Sequence, residues 1–493
     1  MRGTGGAGQI HRMTASHRSR LLLCALAVLL LCGTAPAAGA RTHLAWGDCP
    51  NPGNVPLHGL KCTTLRVPLD HRRPGGRTIE LAVSKMDSTN PAKRRGVLLM
   101  NNGGPGIPSL LMPARGVALG LPDSLRESYD LIGFDPRGVG ESTPVSCGLP
   151  PDYTGAIQPY PRDAADVRQR AGEVRAVAEG CARHNDPAVL AEISTANTAR
   201  DMNLIVDALG ESKASYFGVS YGTYLGAVFA SRYPSRTDRV VLDSALGPAG
   251  LDETQLRSVA KGFEDRFPDF ARWAAERAST YHLGDTPELV RAKYFELAGQ
   301  QDRSGQGAAF RGDTLNGLTG SMTSDDGFPA LAARWRDLSA GAAGPLGTPA
   351  DNTISAQTAV LCNDNAWPRS VRHYQRAVAE DRLRFPMFGA AAANVSPCAF
   401  WPVRPEPRIP ITGNGPSNVL IVQNLRDPIT PLTGARATRT ALGPRARMVT
   451  VDQGGHGAYL VTGQNRCGRD AVTDYLTAGA FPPADTHCAA EPR

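Results

Sequence analysis

From Thr63 the chain alternates apolar and polar positions in "TTLRVPLDH" and again in "TIELAVSKM", with the turn "RRPGGR" between. Period-two alternation on both sides of a Pro/Gly turn predicts two paired strands. The pattern then changes. "RGVLLMNNGGPG" and "YDLIGFDPRGVGES" are unbroken apolar runs ending in glycine-rich loops, as expected of strands buried on both faces. Helical periodicity follows in "DVRQRAGEVRAVAEGCARH" and "NTARDMNLIVDALG", and two more apolar runs in "ASYFGV" and "DRVVLDSAL". Strands alternating with helices predict an α/β fold with a mostly parallel sheet.

Between roughly Gly250 and Pro407 the strand signal stops. "RWAAERAST", "ELVRAKYFELAGQ" and "FPALAARWRDLSAG" read as helices, separated by loops such as "RSGQGAA" and "AGAAGPLG". Strands resume at "NVLIVQNLRDPITP" and "ARMVTVDQGGHG", before a last helix near "GRDAVTDYL". The expected organisation is an α/β core over 41–249 and 408–493, interrupted by a helical cap over 250–407. The chain contains no internal repeat.

Residues 1–40 stand apart. Arg2, Arg12, Arg18 and Arg20 precede the short apolar stretch "LLLCALAVLLLCG", and small residues lead to Ala38 and Ala40. That is the layout of a signal peptide cleaved near Ala40, and it implies a secreted protein. The run from Leu21 to Leu31 is too short to span a bilayer, so no membrane association is expected after cleavage. Cys32 offers a lipidation site, but the bulky Leu31 precedes it. Without the leader, 49 basic side chains face 46 acidic ones, which gives no reason to expect nucleic acid or an anionic surface as partner.

Eight cysteines remain beyond the leader, an even number that suits an exported, disulfide-bonded protein. They fall into four neighbouring couples, Cys49–Cys62, Cys147–Cys181, Cys362–Cys398 and Cys467–Cys488. Eight cysteines allow 105 connectivities, so spacing alone leaves the pairing open. Neither C-x-x-C nor paired histidines at ligand spacing occur, and no metal or other cofactor is expected.

The candidate chemistry lies where apolar runs end. Gly218-Val-Ser-Tyr-Gly222 is a G-x-S-x-G between a strand and a helix, where flanking glycines relieve the crowding of a strained turn that exposes Ser220. Asp427 closes "NVLIVQNLR" and His456 follows "ARMVTVD", in the order Ser…Asp…His expected of an α/β-hydrolase. Serine alone is a weak nucleophile; an imidazole must take its proton and a carboxylate must hold the imidazole's tautomer. The "NNGGPG" loop stands where an oxyanion loop is expected, with backbone donors from Gly104 and from Tyr221. No Gly-Lys-Ser/Thr follows it, which excludes a P-loop. The "DPRGVGES" loop is expected to be structural, with Asp135 paired to Arg137.

Together "NNGGPG", "DPRGVGES", "GVSYG", "DPITP" and "GGHG" resemble the exported bacterial α/β-hydrolases of the tripeptidyl aminopeptidase and prolyl aminopeptidase group. "CTTLRVPLDHRRPGGRTIELAVSK" and "LCNDNAWP" extend the resemblance over most of 45–493. It implies a serine exopeptidase that removes short peptides, tripeptides above all, or N-terminal residues such as proline from free N-termini, with peptides as its substrates. Carried over by motif, Ser220, Asp427 and His456 form the triad, and Gly104 with Tyr221 the oxyanion hole. Asn102 departs from the histidine that usually opens the oxyanion motif in prolyl iminopeptidases. An aminopeptidase must also hold an ammonium group, and acids of the cap are the candidates: Asp325, Asp326, Asp364 and Glu253. Cys362 is positioned to pin the Asp364 loop, and Trp367 to wall a pocket. Two other readings stay open: an esterase or amidase on small molecules, and a binding protein that kept the fold. Oligomeric state is not legible.

Overall fold

The computed structural model describes Gly3, residues 44–50, Gly53, residues 55–150, Tyr153, and residues 158–320, 325–341 and 350–491. Apart from Gly3, the expected signal peptide lies outside these residues. Among the described residues nine strands form one sheet: β1 (Lys61–Pro68), β2 (Thr78–Met86), β3 (Gly96–Asn101), β4 (Tyr129–Phe134), β5 (Ala214–Val219), β6 (Thr237–Asp243), β7 (Val419–Arg426), β8 (Ala446–Gly454) and β9 (Thr486–Cys488). Their order is β1-β2-β4-β3-β5-β6-β7-β8-β9. β1, β2 and β4 pair antiparallel, and all other pairings are parallel. This is the α/β-hydrolase arrangement.

Alternation within each strand builds two cores. Val97 and Leu99 of β3, with Tyr216 of β5, face one side; Leu98, Met100 and Phe217 face the other. Every residue of β3, β4 and β5 is buried, and each large side chain stabilises the fold by about 1.5–3 kcal/mol on area grounds. The Thr195–Ala208 and Tyr221–Arg232 helices cover the first side, and the Arg466–Ala478 helix covers the second. Ser194 caps the first of these by accepting from the Asn197 amide.

Chain order reverses at β3. β4 lies on one side of it and β5 on the other, with Asn101 opposite Gly218. Loops leaving the carboxyl ends of β3 and β5 therefore diverge around a crevice, where open α/β sheets bind ligands.

Between β6 and β7 the described regular elements are all helices. The Glu253–Ala275, Pro287–Arg303, Gly307–Thr319 and Phe328–Ser339 helices enclose an aromatic core that includes Phe263, Phe267, Tyr294 and Trp335. The rest of the inserted segment packs differently. Ile354, Ala359 and Leu361 of the Asp351–Asp364 helix join the main core. The Ala164–His184 helix, which comes earlier in the chain, packs with Tyr374, Ala377 and Val378. Packing thus crosses the boundaries at 250 and 407. The disulfides are Cys49–Cys62, Cys147–Cys181, Cys362–Cys398 and Cys467–Cys488.

One sequence expectation fails. Asp135 and Arg137 do not pair. Arg137 is fully buried and forks onto Asp201, with both contacts at 2.7 Å. Asp135 instead accepts from the amides of Ser109, Leu110 and Glu141. A carboxylate at a strand end finds loop amides closer than a guanidinium two residues on, and so Asp135 shapes the loop after β3.

Candidate active site

Ser220 occupies the sharp turn between β5 and the Tyr221–Arg232 helix, at φ 60° and ψ −126°. A non-glycine residue there stores roughly 1–3 kcal/mol of strain, which the surroundings must hold. Two hydrogen bonds hold it. The Ser220 amide donates to the Asp243 carbonyl at 3.0 Å. Tyr216 donates its hydroxyl to the Gly222 carbonyl at 2.7 Å. Glycine at 218 and 222 leaves room: a Cβ on Gly218 would lie 2.5 Å from the Gly222 oxygen, and one on Gly222 would lie 2.8 Å from the Asn101 oxygen.

Asp427 and His456 meet across the ends of β7 and β8. His456 Nδ1 lies 2.9 Å from Asp427 Oδ2 and 3.0 Å from Oδ1. Asp427 is held in turn by the amides of Ile429 and Thr430 and by the Thr430 hydroxyl, each at 2.9 Å. Burial pulls the imidazole pKa down. The charge and hydrogen bond of Asp427, aided by the charge of Asp243, outweigh it and raise the pKa above the ordinary 6.5. Among the described residues the ring's hydrogen bonds all lie on the Nδ1 side, which leaves Nε2 for the cavity that His456 and Ser220 both line.

Sequence reasoning missed the residues that position His456. Asp243, at the end of β6, accepts from the amides of Ala458 and Tyr459 at 2.6 and 2.9 Å, and burial raises its carboxyl to about 6. Ser244 accepts from the Gly457 amide at 2.8 Å, and Asn424 donates to the Gly455 carbonyl at 3.0 Å. The available signal was polar residues closing apolar runs, "VVLDS" and "VLIVQN". The cap contributes as well, since the His456 amide donates to the Thr319 carbonyl at 2.8 Å.

The loop after β3 crosses directly over Ser220. Gly103, at φ 92°, comes so close that a Cβ would lie 2.5 Å from the Val219 oxygen and 3.1 Å from the Tyr221 nitrogen. Its amide donates to Asn101 Oδ1 at 3.0 Å. Gly104, expected as a donor, lines the cavity beside Asn102 and Ile107. Asn102 accepts from the Ser109 hydroxyl at 2.5 Å. The cavity is about 510 Å³, with largely apolar walls that include Leu251, Leu256, Trp367, Tyr374 and Phe388.

Comparison with known proteins adds to this geometry. A tripeptidyl aminopeptidase of Streptomyces coelicolor is 35% identical over 484 residues, covering 92% of this chain and 87% of its own length. The chain belongs to the tripeptidyl aminopeptidase family. The family model described as "TAP-like protein" matches residues 385–488, a span that holds Asp427 and His456. The serine protease Hip1 of Mycobacterium tuberculosis is 30% identical over 96% of this chain and 98% of its own. Carboxylesterase B of the same organism is 32% identical over 88% and 87%. Among solved structures, a proline iminopeptidase of Mycobacterium smegmatis aligns with 84% of this chain and 98% of its own, at 16% identity and a TM-score of 0.38.

The four candidate acids of this family member separate in space. Glu253, at the start of the Glu253–Ala275 helix, is the one carboxylate among the cavity's described lining residues; His373 Nε2 lies 2.7 Å from its Oε1. Asp325 is paired with the buried Arg266 at 2.7 Å. Asp326, its neighbour in the same turn, is likewise not among the described lining residues. Asp364 is also absent from them: its oxygens take the amide and hydroxyl of Thr195 at 2.9 and 2.5 Å. The structure therefore brings Glu253 to the cavity and leaves the other three outside its described lining. Trp367 does wall the cavity.

Proposed function

We propose that this serine peptidase is an exported aminopeptidase in which Ser220 attacks the scissile carbonyl and His456 accepts its proton through Nε2. Asp427 holds the Nδ1–H tautomer and stabilises the imidazolium that forms. The tetrahedral oxyanion is taken by the backbone N–H of Gly104 in the loop after β3 and by the Tyr221 amide, which opens the helix after Ser220. The imidazolium protonates the leaving amine; water, activated by His456, then releases the acyl group. Glu253 receives the substrate's ammonium group, and the apolar walls take the side chains between that group and the scissile bond.

A cavity that joins Ser220 and His456 to a single carboxylate, Glu253, carries this reading. A single carboxylate at the edge of largely apolar walls, with His373 on one of its oxygens, suits a cationic group at one end of an otherwise apolar acyl chain. Similarity to the tripeptidyl aminopeptidase supports release of tripeptides. Four disulfides support export into an oxidising compartment, and no helix among the described residues is long and apolar enough to cross a membrane.

Chromogenic Xaa-, Xaa-Pro- and tripeptidyl substrates, each with a free and a blocked N-terminus, test it on wild type and on Ser220→Ala. Turnover of the free substrates alone, abolished by Ser220→Ala, is the expected result. Equal turnover of blocked substrates defeats the aminopeptidase reading and favours a small-molecule esterase, which similarity to carboxylesterase B keeps as the second reading.

A further inference from the structure

Tyr221, whose amide the proposed mechanism uses, has a side chain that leaves the cavity and enters a buried hydrogen-bonded chain. Its hydroxyl lies 2.6 Å from Thr195 Oγ1, and Thr195 Oγ1 donates to Asp364 Oδ2 at 2.5 Å. The Thr195 amide donates to the other Asp364 oxygen at 2.9 Å. Thr195 has one hydroxyl proton and gives it to the carboxylate. Tyr221 must therefore donate to Thr195, so the chain runs Tyr221 to Thr195 to Asp364 in one direction. Tyr221 and Thr195 are almost completely buried. A lost partner within the Tyr221–Thr195 link is poorly compensated, and breaking one link unseats the next.

Asp364 is the last residue of the Asp351–Asp364 helix, and that helix is fixed along its length. Asp351 accepts from the Ser146 hydroxyl and the Leu149 amide. Asn352 donates to the carbonyls of Gly138 and Val145. Asn363 donates to those of Leu190 and Ile193, and Cys362 is bonded to Cys398. The same helix also lies against the loop that carries Gly104, the other expected oxyanion donor, two residues further along. A Cβ on Gly106, at φ 85°, would lie 2.3 Å from the Thr353 oxygen and 2.7 Å from the Gln357 nitrogen. One rigid helix thus touches the β3 loop near its middle and, through Thr195, the residue after Ser220 at its end.

We propose that the Asp351–Asp364 helix sets the oxyanion hole, and that Asp364 is a positioning residue that acts through Thr195 on Tyr221. The proposal rests on the reading of Ser220 as nucleophile. Fixing the Tyr221 phenol limits rotation of the Ser220–Tyr221 peptide, whose N–H must point at charge that appears only in the transition state. Glu406, Arg408, Tyr221 and Tyr224 are the charged and titratable groups that act on Asp364 or feel its charge. Burial raises Asp364 to about 6 against the two Thr195 hydrogen bonds. Protonation below that value takes away the acceptor that gives the chain its direction.

The test compares Tyr221→Phe, Thr195→Val and Asp364→Asn with wild type in the full-length secreted protein, using a free-N-terminus tripeptidyl substrate and a peptidyl boronate that forms a tetrahedral adduct on serine. We expect kcat to fall about ten-fold in each variant with KM within two-fold. Boronate affinity should fall in parallel, with affinity for the product peptide unchanged. Thr195→Ser restores kcat, and Tyr221→Phe combined with Thr195→Val costs no more than either alone, as links of one chain require. A general loss of packing would raise KM, weaken product binding and add in the double variant; that pattern, or kcat within two-fold of wild type, overturns the proposal. Should Asp364→Asn fail to fold, the near-isosteric Tyr221→Phe gives the same reading. Failure of a fluorophosphonate to label Ser220 in wild type would instead remove the catalytic reading itself.

Discussion

At the residue scale, the proposed mechanism makes His456 the group that sets the pH at which the site works. Its raised pKa means that the neutral base forms only above the ordinary histidine range. The rising limb of kcat/KM against pH should therefore have its midpoint above 6.5, and a midpoint below that would contradict the ion pair with Asp427. Asp427→Asn removes both the charge and the tautomer control, and should lower kcat by about 10³–10⁴-fold while leaving fluorophosphonate access to Ser220 intact. Gly103 admits no side chain. Gly103→Ala places a methyl against the Val219 carbonyl in a left-handed backbone. It should destabilise the protein by about 1–3 kcal/mol and abolish turnover, as read by urea unfolding and by substrate hydrolysis. Ser220, Asp427 and His456 stand out in the sequence as candidates because each follows an apolar run with its own turn chemistry. Asp243 escapes notice because its partners, Ala458 and Tyr459, lie more than two hundred positions away.

At the scale of elements, the cap is bolted to the loops that carry Asp427 and His456. Arg266 of the Glu253–Ala275 helix is fully buried and pairs with Asp269 and Asp325, and Asp269 also pairs with Arg426, the residue before Asp427. Burial outweighs these acids and lowers the guanidinium to about 10. Truncation by Arg266→Ala should cost about 3–5 kcal/mol, because it leaves buried carboxylates uncompensated. The loss should appear both in unfolding midpoint and in kcat, since the Thr319–His456 contact belongs to the same end of the cap. Helix and strand positions here follow from local periodicity. β9 does not: three residues carry no period, and it forms because β8 has an open edge and Cys488 is bonded to Cys467.

For the whole molecule, buried acids set stability against activity. Asp243 and Asp364 are both raised by burial to about 6 from a reference of 3.8. The native state therefore holds their protons more tightly than the unfolded chain, and stability falls as pH rises from about 4 to 6. His456, raised above 6.5, adds stability at acid pH that is lost as pH rises through its folded value. Asp269 and Glu406 are lowered, so their contribution is lost as pH falls below the carboxylate range: for Asp269 the charges of Arg266 and Arg426 overcome the opposing effect of burial, and for Glu406 the hydrogen bond from Arg200 leads. The thermal midpoint should then peak at mildly acid pH, below the pH of greatest kcat/KM; coincident maxima would contradict these assignments. Reduction should be costly, because the bridges spanning 34 and 36 residues are each worth about 4 kcal/mol in the chain-entropy account.

By itself the sequence determined what nearest neighbours can determine. Apolar runs became the buried strands, and alternation became the β1–β2 hairpin. Glycines at 218 and 222 became the turn that exposes Ser220. Tertiary structure alone decided which distant polar groups would meet. Asp364 and Glu253 look alike along the chain, as acids in a helical insertion. Yet Asp364 ends a helix laid against the main core and answers to Thr195, 169 positions away, whereas Glu253 opens a helix at the cavity wall. Periodicity reports which face of an element is apolar. The partner that a charge finds depends on how whole elements pack, and that is settled only when the chain is folded.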